Sequence, residues 1–296
     1  MFRQLCRLAF VTIVALGVTS CDGTSANDTS TSPTPIGPPG TSTPIRYTAI
    51  GASDANGVGS SVVCAPLASC EAGSGYVPVL ARALRNGRDV TLLNLGIPGA
   101  VLGPAIQALA RAQGRDVFAN FIDQELPLVT GNSTLITIFG GGNDANAVAE
   151  AIARGAAGSD IKAYIEGQVR SFGSDYDRLV RGVRGRAPDA FIIVINLPNL
   201  AALPYAMGGS ILQRQVLQQI AVGMSREANR QAGNGVAVLD LMCDPESYDP
   251  SAFSPDGFHP NDAGYGRLAQ RLQEIVNGRV TSPPASCGQM TAVPAL

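Results

Sequence analysis

Five short apolar runs recur along the chain, separated by segments with helical spacing. Ile45 to Gly51 is β-type and stops at glycine, and Val90 to Leu95, Thr134 to Phe139, Phe191 to Ile195 and Val236 to Leu239 follow it. The run Phe-Ile-Ile-Val-Ile at 191–195 has no alternation of polar and apolar positions, which is the pattern of a strand buried on both faces. Between the runs, Tyr76, Leu80 and Leu84 form a helical stripe that Gly87 closes. Val101 to Gln113 predicts a second helix, and Ile161 to Val183 a longer one interrupted at Gly167 and Gly173. Leu212, Val216, Ile220 and Met224 keep a spacing of four, and a last helix over Asp262 to Val276 buries Tyr265, Leu268 and Leu272. Apolar strands alternating with amphipathic helices predict an α/β fold, a parallel sheet of about five strands covered on both faces. Such sheets carry their sites beyond the carboxyl ends of the strands.

The region before the first strand follows other rules. Arg3 and Arg7 flank a basic start, and Leu8 to Val18 is an apolar run of eleven residues, too short for a membrane-spanning helix but suited to a secretory signal. The run ends in Val18-Thr19-Ser20-Cys21, which resembles a bacterial lipobox. Residues 1–20 are therefore expected to be a lipoprotein signal peptide, with Cys21 the lipidated residue. Asp22 to Pro44 is almost wholly Ser, Thr, Pro, Gly, Asn and Asp, so 21–44 reads as a flexible tether and 45–296 as one domain. The expectation is an exported monomer, anchored by lipid to a bacterial membrane on its periplasmic or surface side.

Composition narrows the function. With 21 basic against 23 acidic residues the formal charge is -2, which excludes nucleic-acid binding by bulk phosphate neutralisation. A single histidine, His259, excludes a histidine-cluster metal site, and any mechanism that needs imidazole has one residue to use. Once Cys6 leaves with the signal and Cys21 takes lipid, four cysteines remain. Of their three pairings, Cys64 with Cys70 and Cys243 with Cys287 are the most economical, and an oxidising compartment permits them.

Four short blocks stand at strand ends or before the last helix. Gly51-Ala52-Ser53-Asp54 puts a serine hydroxyl on a tight turn, with Asp54 expected to cap the following turn or, as the alternative, to contact substrate. Asn94-Leu95-Gly96-Ile97-Pro98-Gly99 lets the backbone approach a ligand. Gly140-Gly141-Gly142-Asn143-Asp144 adds a side-chain amide donor, without the Lys-Ser/Thr of a phosphate loop. Asp256-Gly257-Phe258-His259-Pro260 lets a carboxylate reach an imidazole three residues on. Serine, a base, an orienting acid and amide donors are the parts that acyl transfer requires.

In order and placement these blocks resemble the SGNH, or GDSL-like, hydrolases over about 45–280, most specifically in His259-Pro260-Asn261-Asp262-Ala263-Gly264-Tyr265. The resemblance implies a flavodoxin-like three-layer α/β/α sandwich and ester hydrolysis without metal or cofactor. Carried over residue by residue, it implies Ser53 as nucleophile, His259 as base and Asp256 as orienting acid. The Ser53 N–H, the Gly96 N–H and the Asn143 side chain would form the oxyanion hole. The chain departs from the family's Gly-Asp-Ser-Leu opening: the acid before the serine is missing and Asp54 follows it. The natural substrate would be a small-molecule, lipid or carbohydrate ester. Two other readings compete: a tethered binding protein without catalysis, and a metal-dependent hydrolase built on Asp244, Glu246 and Asp249. The apolar segment Leu197 to Gly209 is expected to border the site.

Overall fold

The structure, a computed structural model, describes residues 36–296; the signal segment, Cys21 and the first part of the tether lie outside the described residues. Each apolar run forms a strand: β1 (Ile45–Gly51), β2 (Val90–Asn94), β3 (Leu135–Phe139), β4 (Phe191–Ile195) and β5 (Val236–Leu239). All pair in parallel in the order β2-β1-β3-β4-β5. This is the flavodoxin-like strand order, and β1, β3 and β4 form its interior. Every residue of β3 and β4 is buried, as the uninterrupted apolar runs require.

Among the described residues, seven α-helices connect or cover the strands: α1 (Ser53–Asn56), α2 (Tyr76–Leu84), α3 (Pro104–Ala112), α4 (Gly142–Ala153), α5 (Ile161–Arg186), α6 (Ile211–Asn229) and α7 (Asp262–Val276). Helix α5 runs through both glycines at which the sequence predicts an interruption. At Gly173 the reason is packing: a Cβ there would collide with the Glu227 side chain of α6, so the residue permits close helix–helix approach. Helix α6 starts from a capping box in which Ser210 and Gln213 satisfy each other's backbone N–H groups.

Both expected disulfides are present, Cys64–Cys70 and Cys243–Cys287. The second fixes a C-terminal tail whose Met290 and Val293 are buried. Gln218 of α6 holds that tail by donating to the Val293 carbonyl (2.7 Å) and accepting from its N–H (2.9 Å). At the other end of the described chain, residues 36–44 carry no helix or strand, and Ile36 rests against Gly235.

Candidate active site

Strand β1 ends at Gly51, and Ser53 opens α1, a single turn closed by Gly57 in the left-handed conformation. The chain thus reverses within a few residues and holds the serine at the carboxyl edge of the central sheet. Gly51 anchors this turn from beneath by donating its N–H to Glu125 Oε2 at 2.9 Å. Glu125 is fully buried, and desolvation pushes its carboxyl well above the usual range.

The fourth block supplies the partner. Ser53 Oγ lies 2.8 Å from His259 Nε2, and His259 Nδ1 lies 2.6 Å from Asp256 Oδ2. The other oxygen, Asp256 Oδ1, accepts from the Ser254 hydroxyl and from the N–H groups of Phe258 and His259, at 2.8–2.9 Å. Desolvation disfavours the Asp256 carboxylate, but these donors and the imidazole outweigh it and hold its pKa at about 2. The carboxylate is therefore ionised over the whole working range, as an acid that orients imidazole and stabilises imidazolium must be. Phe258 stacks edge-on against the imidazole, with ring centroids 5.0 Å apart, and limits the ring's rotation.

The amide donors are arranged differently from the sequence expectation at one position. Gly96 donates its N–H to Asn94 Oδ1 at 3.1 Å, while Asn94 Nδ2 donates to the Ala55 carbonyl. Gly96 is thus committed to holding β2 against α1, and a Cβ there would strike Ala55. The free donor is three residues on. Ile97 to Ala100 forms a turn closed by the Ala100 N–H on the Ile97 carbonyl, with Gly99 at φ 78° in its third position. That is a type II turn, whose geometry points the Gly99 N–H away from the closing bond. Among the described residues this N–H has no partner. Pro98-Gly99 was the signal available in the sequence, since Pro then Gly at the two central positions favours this turn.

Asn143 sits in the first turn of α4, after Gly141 at φ 111°. One hydrogen of its amide goes to the Ala100 carbonyl at 3.0 Å, which leaves the other available. Asp144, to which the sequence assigns no role, accepts from the Leu102 N–H at 3.0 Å. Burial lifts its pKa to about 7 against that hydrogen bond. Asn143 and Asp144 together clasp the loop that presents Gly99.

Asp54 does not cap its turn with its side chain. Its side chain instead accepts from the Tyr265 hydroxyl at 3.4 Å, and the residue borders a cavity that Asn143 also lines. Ala52, Phe258 and Pro260 also border this cavity, as do Leu197, Leu200 and Leu203. The segment after β4 therefore flanks the site as expected, folded into two 3-10 turns, Leu200–Ala202 and Pro204–Ala206. The acidic run of the metal reading is otherwise engaged: Asp244 pairs with Arg271 and Asp249 with Arg267, both at 2.7 Å. Among the described residues no group of three His, Cys, Asp or Glu side chains is placed to hold a metal ion.

The model of the GDSL-like lipase/acylhydrolase family matches residues 49–267. Among proteins of established function no sequence relative matches. Several solved structures share the fold. The lipase Lip_vut3 from a goat rumen metagenome is 16% identical at a TM-score of 0.56, covering 80% of this chain and 100% of that one. An extracellular lipase from Streptomyces rimosus is 20% identical at 0.55, over 78% of this chain and 99% of that one. Phospholipase A1 from Streptomyces albidoflavus NA297 is 18% identical at 0.54, over 79% and 100%.

Proposed function

Because the chain belongs to the GDSL-like lipase/acylhydrolase family and is a carboxylic ester hydrolase, we propose that it works as a serine esterase through an acyl-enzyme on Ser53. One observation carries this reading: a continuous relay from Asp256 through His259 to Ser53, at 2.6 and 2.8 Å. Ser53 Oγ attacks the ester carbonyl carbon while His259 Nε2 takes its proton. Asp256 holds the proton on Nδ1 and balances the imidazolium. The tetrahedral oxyanion is received by the Ser53 N–H, the Gly99 N–H and the Asn143 amide, with Gly99 in the place that the sequence assigns to Gly96. Collapse breaks the bond to the alcohol oxygen, which leaves with the proton from His259. Water then attacks the acyl group with His259 again as base, and the carboxylic acid departs.

Chromogenic short-chain esters and a serine-directed phosphonate test the reading together. Turnover of the ester and labelling of Ser53 alone are expected; labelling elsewhere, or none, would count against it. Asn143→Ala leaves two backbone donors, so kcat should fall about 10²–10³-fold with little change in KM. Equal losses in kcat and in folded protein would instead assign Asn143 to structure. A binding protein without catalysis has no use for an imidazole hydrogen-bonded to a carboxylate and aimed at a serine.

We propose further that the enzyme is exported and lipid-anchored through Cys21. The support is the eleven-residue apolar run, the Val-Thr-Ser-Cys junction and the polar spacer after it. One acyl chain binds only marginally, so stable attachment needs several chains on that cysteine. Cys21→Ser should move the protein from the membrane to the soluble fraction. An unchanged distribution of that variant would refute the anchor.

A further inference from the structure

Resting on the esterase reading, we infer that Glu125 is a positioning residue for the reaction. As a neutral acid it holds Gly51, and through Gly51 the spacing between Ser53 and the oxyanion donors. Gly51 stands two residues before the nucleophile, and its N–H goes to Glu125 Oε2 at 2.9 Å. Its carbonyl accepts from the Ile97 N–H at 3.1 Å, and Ile97 opens the turn that presents Gly99. One residue thus joins the nucleophile's turn to the turn of the second donor, and Glu125 fixes it. The segment that carries Glu125 also reaches the remaining donor block. Phe121–Glu125 is a single π-helical turn, and a Cβ on Gly140 would strike its Phe121 ring. The Phe121 N–H donates to the Val101 carbonyl at 2.9 Å, at the far end of the Gly99 loop. Asn120 fixes the start of this turn, accepting from the Asp123 N–H at 2.8 Å and donating to Gln107 Oε1 at 2.9 Å.

Neutrality follows from the surroundings. Glu125 has no exposed surface, and among the described residues the Gly51 N–H is its one hydrogen-bond donor, while Oε1 has no partner. No arginine, lysine or histidine among them pairs with it. A carboxylate buried with one donor and no cation is costly, whereas the acid accepts the same bond without a charge. Burial accordingly favours the protonated form. Glu125 belongs to neither the proton relay nor the donor set, so its contribution is geometric. Oxyanion donors act only when preorganised around the place where charge develops, and a displacement of about 1 Å can cost about 10²-fold in rate.

The test compares Glu125→Leu, which removes the acceptor, with Glu125→Gln, which keeps a neutral acceptor oxygen. Turnover of 4-nitrophenyl butyrate is measured alongside the rate and end point of phosphonate labelling at Ser53. Glu125→Leu should lower kcat about 10–100-fold at nearly unchanged KM. Labelling should slow to match, yet still reach one label per folded chain. Glu125→Gln should restore both rates to within a few-fold of the native enzyme. A native rate per labelled site in Glu125→Leu would overturn the inference, since Glu125 would then only stabilise the fold. Glu125→Gln as slow as Glu125→Leu would also overturn it, because an ionised carboxylate would then be required. Where Glu125→Leu does not fold, Glu125→Gln decides. The infrared difference between native enzyme and Glu125→Gln at neutral pH should contain the carbonyl band of one protonated carboxyl. Absence of that band, or a Glu125→Gln variant that does not fold, would overturn the inference and leave the esterase reading standing. Native enzyme that neither hydrolyses the ester nor takes the label at Ser53 would remove the esterase reading and this inference together.

Discussion

Ser53→Ala should abolish ester turnover, lowering kcat on the order of 10⁴–10⁶-fold, and leave the fold intact. The hydroxyl contributes little to the core: its one side-chain hydrogen bond is to His259, and β1 and the Gly51–Glu125 bond define the turn without it. Alanine fits the first position of a helix. The variant should keep its thermal transition and lose both turnover and phosphonate labelling. Near-native hydrolysis by Ser53→Ala would mean that another group attacks the ester, and the mechanism would fall.

His259→Gln should be almost as severe, since the chain holds no second imidazole to serve as base. Glutamine still donates and accepts hydrogen bonds but cannot shuttle a proton near neutrality, which separates placement from proton transfer. The pH profile tests the orienting acid. Asp256, held at about pH 2 by its donors, remains ionised throughout, so protonation of the orienting acid should not limit kcat/KM above about pH 4. A loss of activity that follows protonation of Asp256 at higher pH would count against its role.

The sheet was legible because its interior strands β3 and β4 are buried on both faces, which leaves runs such as 191–195 without polar interruptions. Phe191–Ile195 and Val236–Leu239 match the expected bounds residue for residue. Helix α4 was missed although its body is rich in alanine (Ala145, Ala147, Ala149, Ala151 and Ala153), because it begins inside a three-glycine block that reads as a loop. Gly173 of α5 misled for the opposite reason, since the cost of glycine within a helix is offset there by contact with α6. At the site, Ser53, His259 and Asp256 were visible because each sits in a short block with few alternative uses. Gly96 and Gly99 could not be separated by residue type, because the difference lies in where one N–H points. Glu125 and Asp144 were invisible as buried carboxyls, since nothing in a single chain marks an acid as interior.

On the proposed mechanism, the acid and the base arise from one turn, three residues apart, and need only local chain closure to meet. The nucleophile does not: Ser53 and His259 are separated by 206 positions. β1 is interior to the sheet, while the turn bearing His259 follows the edge strand β5 and lies within the segment that Cys243–Cys287 closes into a ring. Esterase competence is therefore a property of the finished chain. An N-terminal fragment, however well folded, holds a serine without a base, and a nascent chain stays inert until its last helix is in place. Recovered activity in a refolding experiment would accordingly time the final long-range closure, which is the slow kind of contact to form.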